Sequence, residues 1–432
     1  MKHVELRRKR STNLRCPRHA FAGKTFRKQH NRANAFCGEN NVKRFLSVCV
    51  LLGSLSLTAQ AQVPAKPVLA KQGMVVCVSP DAADIGVAIL KKGGTAVDAS
   101  VAVALAMAVT HPAAGNIGGG GFMLVHPPRG TPTLIEYRET APASVKPDTF
   151  KQTTSWLNHQ AVGVPGTIRG LELAHRKFGK LPWRDLVLPA VKLAEEGFVL
   201  EAVTAKSLND YVKKAGTSEE FIRIFGKAGG KENWQAGNRL VQKDLARTLK
   251  RIAEQGPDAF YTGELAELLE REMLAGGGFV TREDLKNYRA VERVPVRGSY
   301  RGYDVYSAAP PSGGGTVLVE MLHTLENFDL KKSGPEEVET RHLLAETMRR
   351  GYADRARYIG DPAFVRIPNF LTEKSYAAKV AEGIDLTKAT PSENLKGEIE
   401  LTRESDSTTH FSVIDRDGLA VSNTYTLEES YG

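Results

Sequence analysis

Near the C-terminus the chain carries Ser405-Asp406-Ser407-Thr408-Thr409-His410-Phe411-Ser412-Val413, which sets a Ser-Thr peptide bond at the mouth of an alternating strand pattern. Such a bond can open itself. The Thr408 hydroxyl attacks the Ser407 carbonyl, the acyl group moves from nitrogen to oxygen, and water opens the ester. The threonine released has an α-amine with an ordinary pKa of about 8, so at neutral pH it can take the proton of its own hydroxyl. Ser407 and Thr408 are therefore a candidate cleavage pair, and Thr408 a candidate nucleophile carrying its own base.

Two strands must hold this residue. Thr409, Phe411 and Val413 alternate with His410, Ser412 and Ile414, a period of two, and Leu419 to Leu427 is a second strand-forming run. Between them, Asp415-Arg416-Asp417-Gly418 suits a type I turn with Gly418 left-handed, which predicts a hairpin with a glycine bulge. That register pairs Asp415 with Leu419 and sets Thr408 opposite Thr426, with Glu428 two residues further on the same face. A two-residue turn would pair Thr409 with Thr426 and send Thr408 to the wrong face, so the bulged form is expected. His410 has no obvious acidic partner for a Ser-His-Asp arrangement and reads as a packed histidine.

The segment DSTTHFSVIDRDGLAVSNTYTLEESYG resembles the processing site and first hairpin of the γ-glutamyltranspeptidases, or glutathione hydrolases, which are N-terminal nucleophile hydrolases. GGTAVDASVAVALAMAVTHPAAGNIGGGGFML (Gly93 to Leu124), EYRETAPA (Glu136 to Ala143) and YRGYDVYSAAPPSGGG (Tyr300 to Gly315) resemble the same family in the same order. The resemblance runs from about Val75 to Gly432 and implies an α/β fold, the four-layer α-β-β-α sandwich of these hydrolases. It implies Thr408 as nucleophile, Arg138 on the substrate α-carboxylate, and Thr426 and Glu428 around the nucleophile and the substrate amine. A bidentate guanidinium suits the carboxylate, and a carboxylate suits the ammonium. It further implies γ-glutamyl donors such as glutathione, amino-acid or peptide acceptors, no cofactor, and two subunits from one precursor. The large-subunit region would be 62–407, and the small-subunit region would start at 408–432. Family members continue well past this hairpin, so the chain is expected to be a fragment, neither efficiently processed nor active alone, with a sheet edge and an apolar face uncovered.

Charge divides the chain in two. Of 59 basic and 49 acidic residues, 13 and 2 lie in residues 1–61, which leaves 46 against 47 for the rest. The basic excess thus belongs to the leader, and a nucleic-acid partner loses its electrostatic basis. Lys43-Arg44, the apolar run Phe45 to Leu57 and Ala59-Gln60-Ala61 read as an export signal cut before Gln62, with a periplasmic or secreted product and no membrane span afterwards. Cys16, Cys37 and Cys49 lie in the leader. Cys77 remains alone, and no Cys/His set has zinc spacing, so an internal disulfide and a metal centre are not expected.

Val97 to Val109 is apolar almost all round apart from Asp98 and Ser100, which predicts a buried core helix. Helices are also expected over Gly166–Phe178, Arg184–Glu196, Asp244–Gln255, Leu265–Leu274 and Arg341–Tyr358, with a helix start at Thr281 and strands at Thr133–Tyr137 and Tyr303–Ser307. The run Gly115-Asn116-Ile117-Gly118-Gly119-Gly120-Gly121 follows a helix and precedes a strand, the reverse of a dinucleotide fingerprint. It reads as a turn where backbones approach closely. Pro310 to Gly315 reads as a rigid turn in the core. Two rivals share these features: a cephalosporin-type acylase using the same Thr408, and a catalytically silent exported binding protein.

Overall fold

The computed structural model describes residues 67–151, 158–214, 216–396 and 407–432; the leader and its signal, with Cys16, Cys37 and Cys49, lie outside the described residues. In chain order the strands are β1 Gly73–Val76, β2 Gly120–His126, β3 Thr133–Glu136, β4 Phe198–Val199, β5 Arg239–Leu240, β6 Val291–Arg293, β7 Val296–Tyr300, β8 Tyr303–Ser307, β9 Thr409–Asp415 and β10 Ala420–Thr426. The main helices are α1 Pro80–Lys91, α2 Ala96–Thr110, α3 Thr167–Phe178, α4 Trp183–Glu196, α5 Ala202–Val212, α6 Glu219–Phe225, α7 Lys243–Gln255, α8 Gly263–Ala275, α9 Arg282–Asn287, α10 Gly313–Leu325, α11 Val338–Tyr358 and α12 Lys374–Glu382.

Six strands form one antiparallel sheet in the order β1-β9-β10-β2-β3-β6. The expected uncovered edge is therefore corrected. The C-terminal hairpin lies inside the sheet, flanked by β1 and β2, and the edges are β1 and β6. The buried halves of β9 and β10 face α2, whose fifteen residues are all buried. A helix without a polar face can only be stable with neighbours on all sides, here the sheet, α1, α3 and α4. Its two early polar residues are satisfied. Asp98 closes a capping box with Thr95 and accepts from the backbone of Lys180 and Leu181, and the Ser100 hydroxyl donates to the Ala96 carbonyl at 2.7 Å.

On the other face Met74, Val76, Leu124, Ile414 and Ala420 line an open apolar cleft of about 430 Å³. The β7–β8 ribbon meets this face where the Tyr306 ring contacts His126 edge-on, and α10 backs the ribbon. The layer order is thus α-β-β-α, with two strands in the second β layer among the described residues. The run from Pro310 is a correction of detail: it is half-buried rather than core, and Ser312 caps the start of α10 through the Gly314 N–H.

Two buried carboxylates in the α10–α11–α12 group differ in their fate. Glu346 on α11 binds Arg349, Arg350 and both the N–H and hydroxyl of Thr390. Burial pushes its carboxyl up, but these donors outweigh it and hold it at about 2. With Arg350 on the Gly383 carbonyl and Arg357 on the Leu395 carbonyl, α11 ties down the stretch 383–395. Glu320 on α10 is equally buried, and Oε2 has no hydrogen-bond partner in the structure. Burial and the neighbouring Asp354 carboxylate, itself bound by the Tyr376 hydroxyl, push Glu320 up to about 8. The folded chain therefore binds more protons than the unfolded one from the ordinary carboxylate range up to that value, and stability falls as pH rises through it. The denaturant midpoint should drop between pH 5 and pH 9, by on the order of 2 kcal/mol in stability, and Glu320→Gln should flatten that dependence.

Candidate active site

The hairpin adopts the bulged register. Ala420 pairs with Ile414 and Tyr425 with Thr409, the Gly418 N–H donates to the Asp415 carbonyl at 3.2 Å, and Gly418 has φ +87°. Asp415 fixes the turn, taking the Asp417 and Leu419 N–H groups on one oxygen and the Ala96 N–H, at the start of α2, on the other. Carried one residue further, the register sets Thr408 opposite Thr426. Thr426 pairs with Gly120, and the Gly121–Tyr137 hydrogen bonds put Arg138 beside Gly120. Thr408, Thr426, Gly120 and Arg138 thus form one row across four strands on the sheet face away from α2. At the usual strand spacing the row is roughly 14 Å long, a span that an arginine side chain and a glutamate-sized substrate can bridge.

Thr426 is held with unusual completeness. Its carbonyl accepts from Asn116 Nδ2 at 3.0 Å, while Asn116 Oδ1 accepts from the Gly119 N–H and the Thr167 hydroxyl. Its hydroxyl oxygen accepts from the Glu428 N–H at 3.0 Å, which turns the hydroxyl proton outward onto the Ser407 carbonyl, 2.5 Å away. In the uncut chain the Thr426 hydroxyl thus donates to the oxygen of the Ser407–Thr408 peptide. The glycine run explains how β2 lies so close. A Cβ on Gly119 would sit 2.0 Å from the Thr426 carbonyl oxygen, and one on Gly121 would sit 2.3 Å from that of Thr424.

At the far end of the row, the Arg138 carbonyl accepts from the Tyr288 hydroxyl at 2.7 Å, and its Nε lies 3.5 Å from Glu139 Oε2. The Glu139 carboxylate occupies the space over Gly120, 2.8 Å from where a Cβ would stand. Burial raises its pKa, Arg138 and the Gly120 N–H oppose this, and Glu428 adds to it. Glu139 thus lies over Gly120 with Arg138 as its counter-ion and with Glu428 near enough for its charge to act on it. Glu139 was missed as a site residue because its neighbour Arg138 offers an adequate surface partner. Glu428 follows β10 with φ +73°, a left-handed conformation that turns the chain back. His410 is corrected. It lies exposed on the Thr408 face, hydrogen-bonded to the hydroxyls of Thr424 and Ser412, rather than packed in the core. Burial of part of its ring lowers its pKa.

Asn116 is 4% exposed and joins three otherwise separate segments. Replacing it with leucine strands the Thr426 carbonyl, the Gly119 N–H and the Thr167 hydroxyl, an expected loss on the order of 3 kcal/mol by denaturant titration.

The Gamma-glutamyltranspeptidase family model matches residues 82–432. The glutathione hydrolase proenzyme of Escherichia coli (strain K12) is 45% identical over 410 residues, 90% of this chain and 70% of the relative. The crystal structure of Helicobacter pylori gamma-glutamyltranspeptidase superposes with a TM-score of 0.74 at 39% identity, covering 78% of this chain and 99% of that one. Cephalosporin acylase from Bacillus halodurans gives a TM-score of 0.74 at 27% identity, over 86% of this chain and 69% of that one. On the span of the family match and the identity to its relatives, this chain belongs to the γ-glutamyltranspeptidase family.

Proposed function

We propose that the chain is the precursor of an enzyme that hydrolyses glutathione and other γ-glutamyl amides and transfers the γ-glutamyl group to amino-acid or peptide acceptors. What carries the reading is the 2.5 Å hydrogen bond from the Thr426 hydroxyl to the Ser407 carbonyl, which polarises the bond that must open. In the precursor the Thr408 hydroxyl adds to that carbonyl, the peptide C–N bond breaks, and the hydroxyl proton ends on the departing nitrogen. Water then hydrolyses the ester, leaving a carboxylate on Ser407 and a free Thr408. Residues 62–407 and the part beginning at Thr408 become the two subunits, and the leader directs export to the periplasm or beyond.

In turnover, Thr408 Oγ attacks the γ-carbonyl of the donor while the Thr408 amine takes the proton and returns it to the leaving amine. The γ-glutamyl ester left on Thr408 is then opened by water or an acceptor amine, which takes the γ-glutamyl group and restores the Thr408 hydroxyl. Thr426, freed from the Ser407 carbonyl, can turn its hydroxyl to Thr408. Arg138 takes the donor α-carboxylate, and Glu428, with Glu139 beside it, takes the α-ammonium. The two acids also separate this reading from an acylase. A glutaryl group brings a carboxylate for Arg138 but no ammonium for Glu139 and Glu428 to meet.

Intact mass of the full-length precursor tests the first part: it should split between Ser407 and Thr408, and Thr408→Ala should remain whole. Full turnover of a γ-glutamyl anilide by an uncut chain overturns the assignment, as does preference for a glutaryl substrate over the anilide. Arg138→Lys keeps the charge but loses the planar fork, so KM for the anilide should rise by about tenfold to a hundredfold with a smaller change in kcat.

A further inference from the structure

The steps above leave Ser430 and Tyr431 without a task. The Ser430 hydroxyl lies 2.5 Å from the Ser407 hydroxyl, on the acyl side of the bond to be opened. Its position is enforced from both directions. Before it, the chain reverses through Glu428, and the Glu429 N–H donates to the Leu427 carbonyl at 3.1 Å. After it, the Tyr431 N–H donates to the Ala113 carbonyl at 3.0 Å, and the Tyr431 hydroxyl meets the Ser207 hydroxyl at 2.8 Å. The Tyr431 ring packs against Tyr211, Phe221 and Phe225 of α5 and α6, with centroids 4.9, 5.2 and 6.0 Å away.

We propose that Ser430 is a positioning residue for cleavage of the Ser407–Thr408 bond, held in place by the aromatic anchor of Tyr431. This rests on the cleavage reading above. Attack by Thr408 Oγ requires the Ser407 carbonyl to present one face of its plane, which a second fixed point on the same residue secures. Thr426 holds the oxygen; Ser430 holds the side chain of the same residue. Together they fix the acyl half at two points while Thr408 attacks, the C–N bond breaks and the hydroxyl proton passes to nitrogen.

The test follows cleavage by intact mass in the full-length precursor for Ser430→Ala, Ser430→Thr, Ser407→Ala and the Ser407→Ala/Ser430→Ala double variant, with melting temperature measured alongside. Loss of one positioning hydrogen bond should slow cleavage about tenfold in Ser430→Ala. Ser430→Thr should restore most of the rate, and the double variant should be no slower than the slower single variant, at unchanged melting temperature. Cleavage of Ser430→Ala at the parent rate, or multiplied effects in the double variant, overturns the proposal while leaving the cleavage reading intact. A parent precursor that never separates at Ser407–Thr408 removes both.

Discussion

The site depends on one close approach: β2 lies against β10 with no side chain between them at Gly119, Gly120 and Gly121. A methyl group at the first or last of these would enter the carbonyl of the facing strand. Because the strands can close, Asn116 reaches the Thr426 carbonyl from below, and the row from Thr408 to Arg138 becomes continuous. The missing side chain at Gly120 then serves a second purpose. It leaves the trough in which the Glu139 carboxylate lies between the threonines and the arginine. The close packing of the strands and the trough thus depend on the same residues.

Charge in this trough is shared between Arg138 and Glu139, 3.5 Å apart. Burial and the Glu428 charge raise the Glu139 pKa, and Arg138 opposes them. The buried acids elsewhere illustrate the same rule with different endings. Glu346 has four donors and becomes a fastener, whereas Glu320 faces another acid and keeps its proton.

Much of this arrangement could be read from residue order. Gly418 specifies the bulge, and the bulge specifies which face Thr408 takes. The apolar run of α2 and the capping box at Thr281 are local signals and appear as expected. The parts that escaped depend on partners far away in the chain. Asn116 and Thr426 are 310 residues apart, and nothing local tells that an asparagine in a glycine run will hold a carbonyl on the last strand. The interior position of β10 escaped for the same reason, since an alternating strand near a chain end resembles an edge strand until its neighbours are known. His410 was misread because alternation gives the face of a residue but not what covers that face.

The hairpin's place within the sheet governs what scission would do to the molecule. β9 is hydrogen-bonded to β1 and β10 to β2, both from the earlier part of the chain, and Tyr425 reaches across to the Ala104 carbonyl of α2. On the other side of Ser407, stretch 383–395 is moored to α11. A nick at Ser407 would therefore alter connectivity without loosening architecture. The two products would remain interleaved like a splice, and parting them would demand melting two ladders at once.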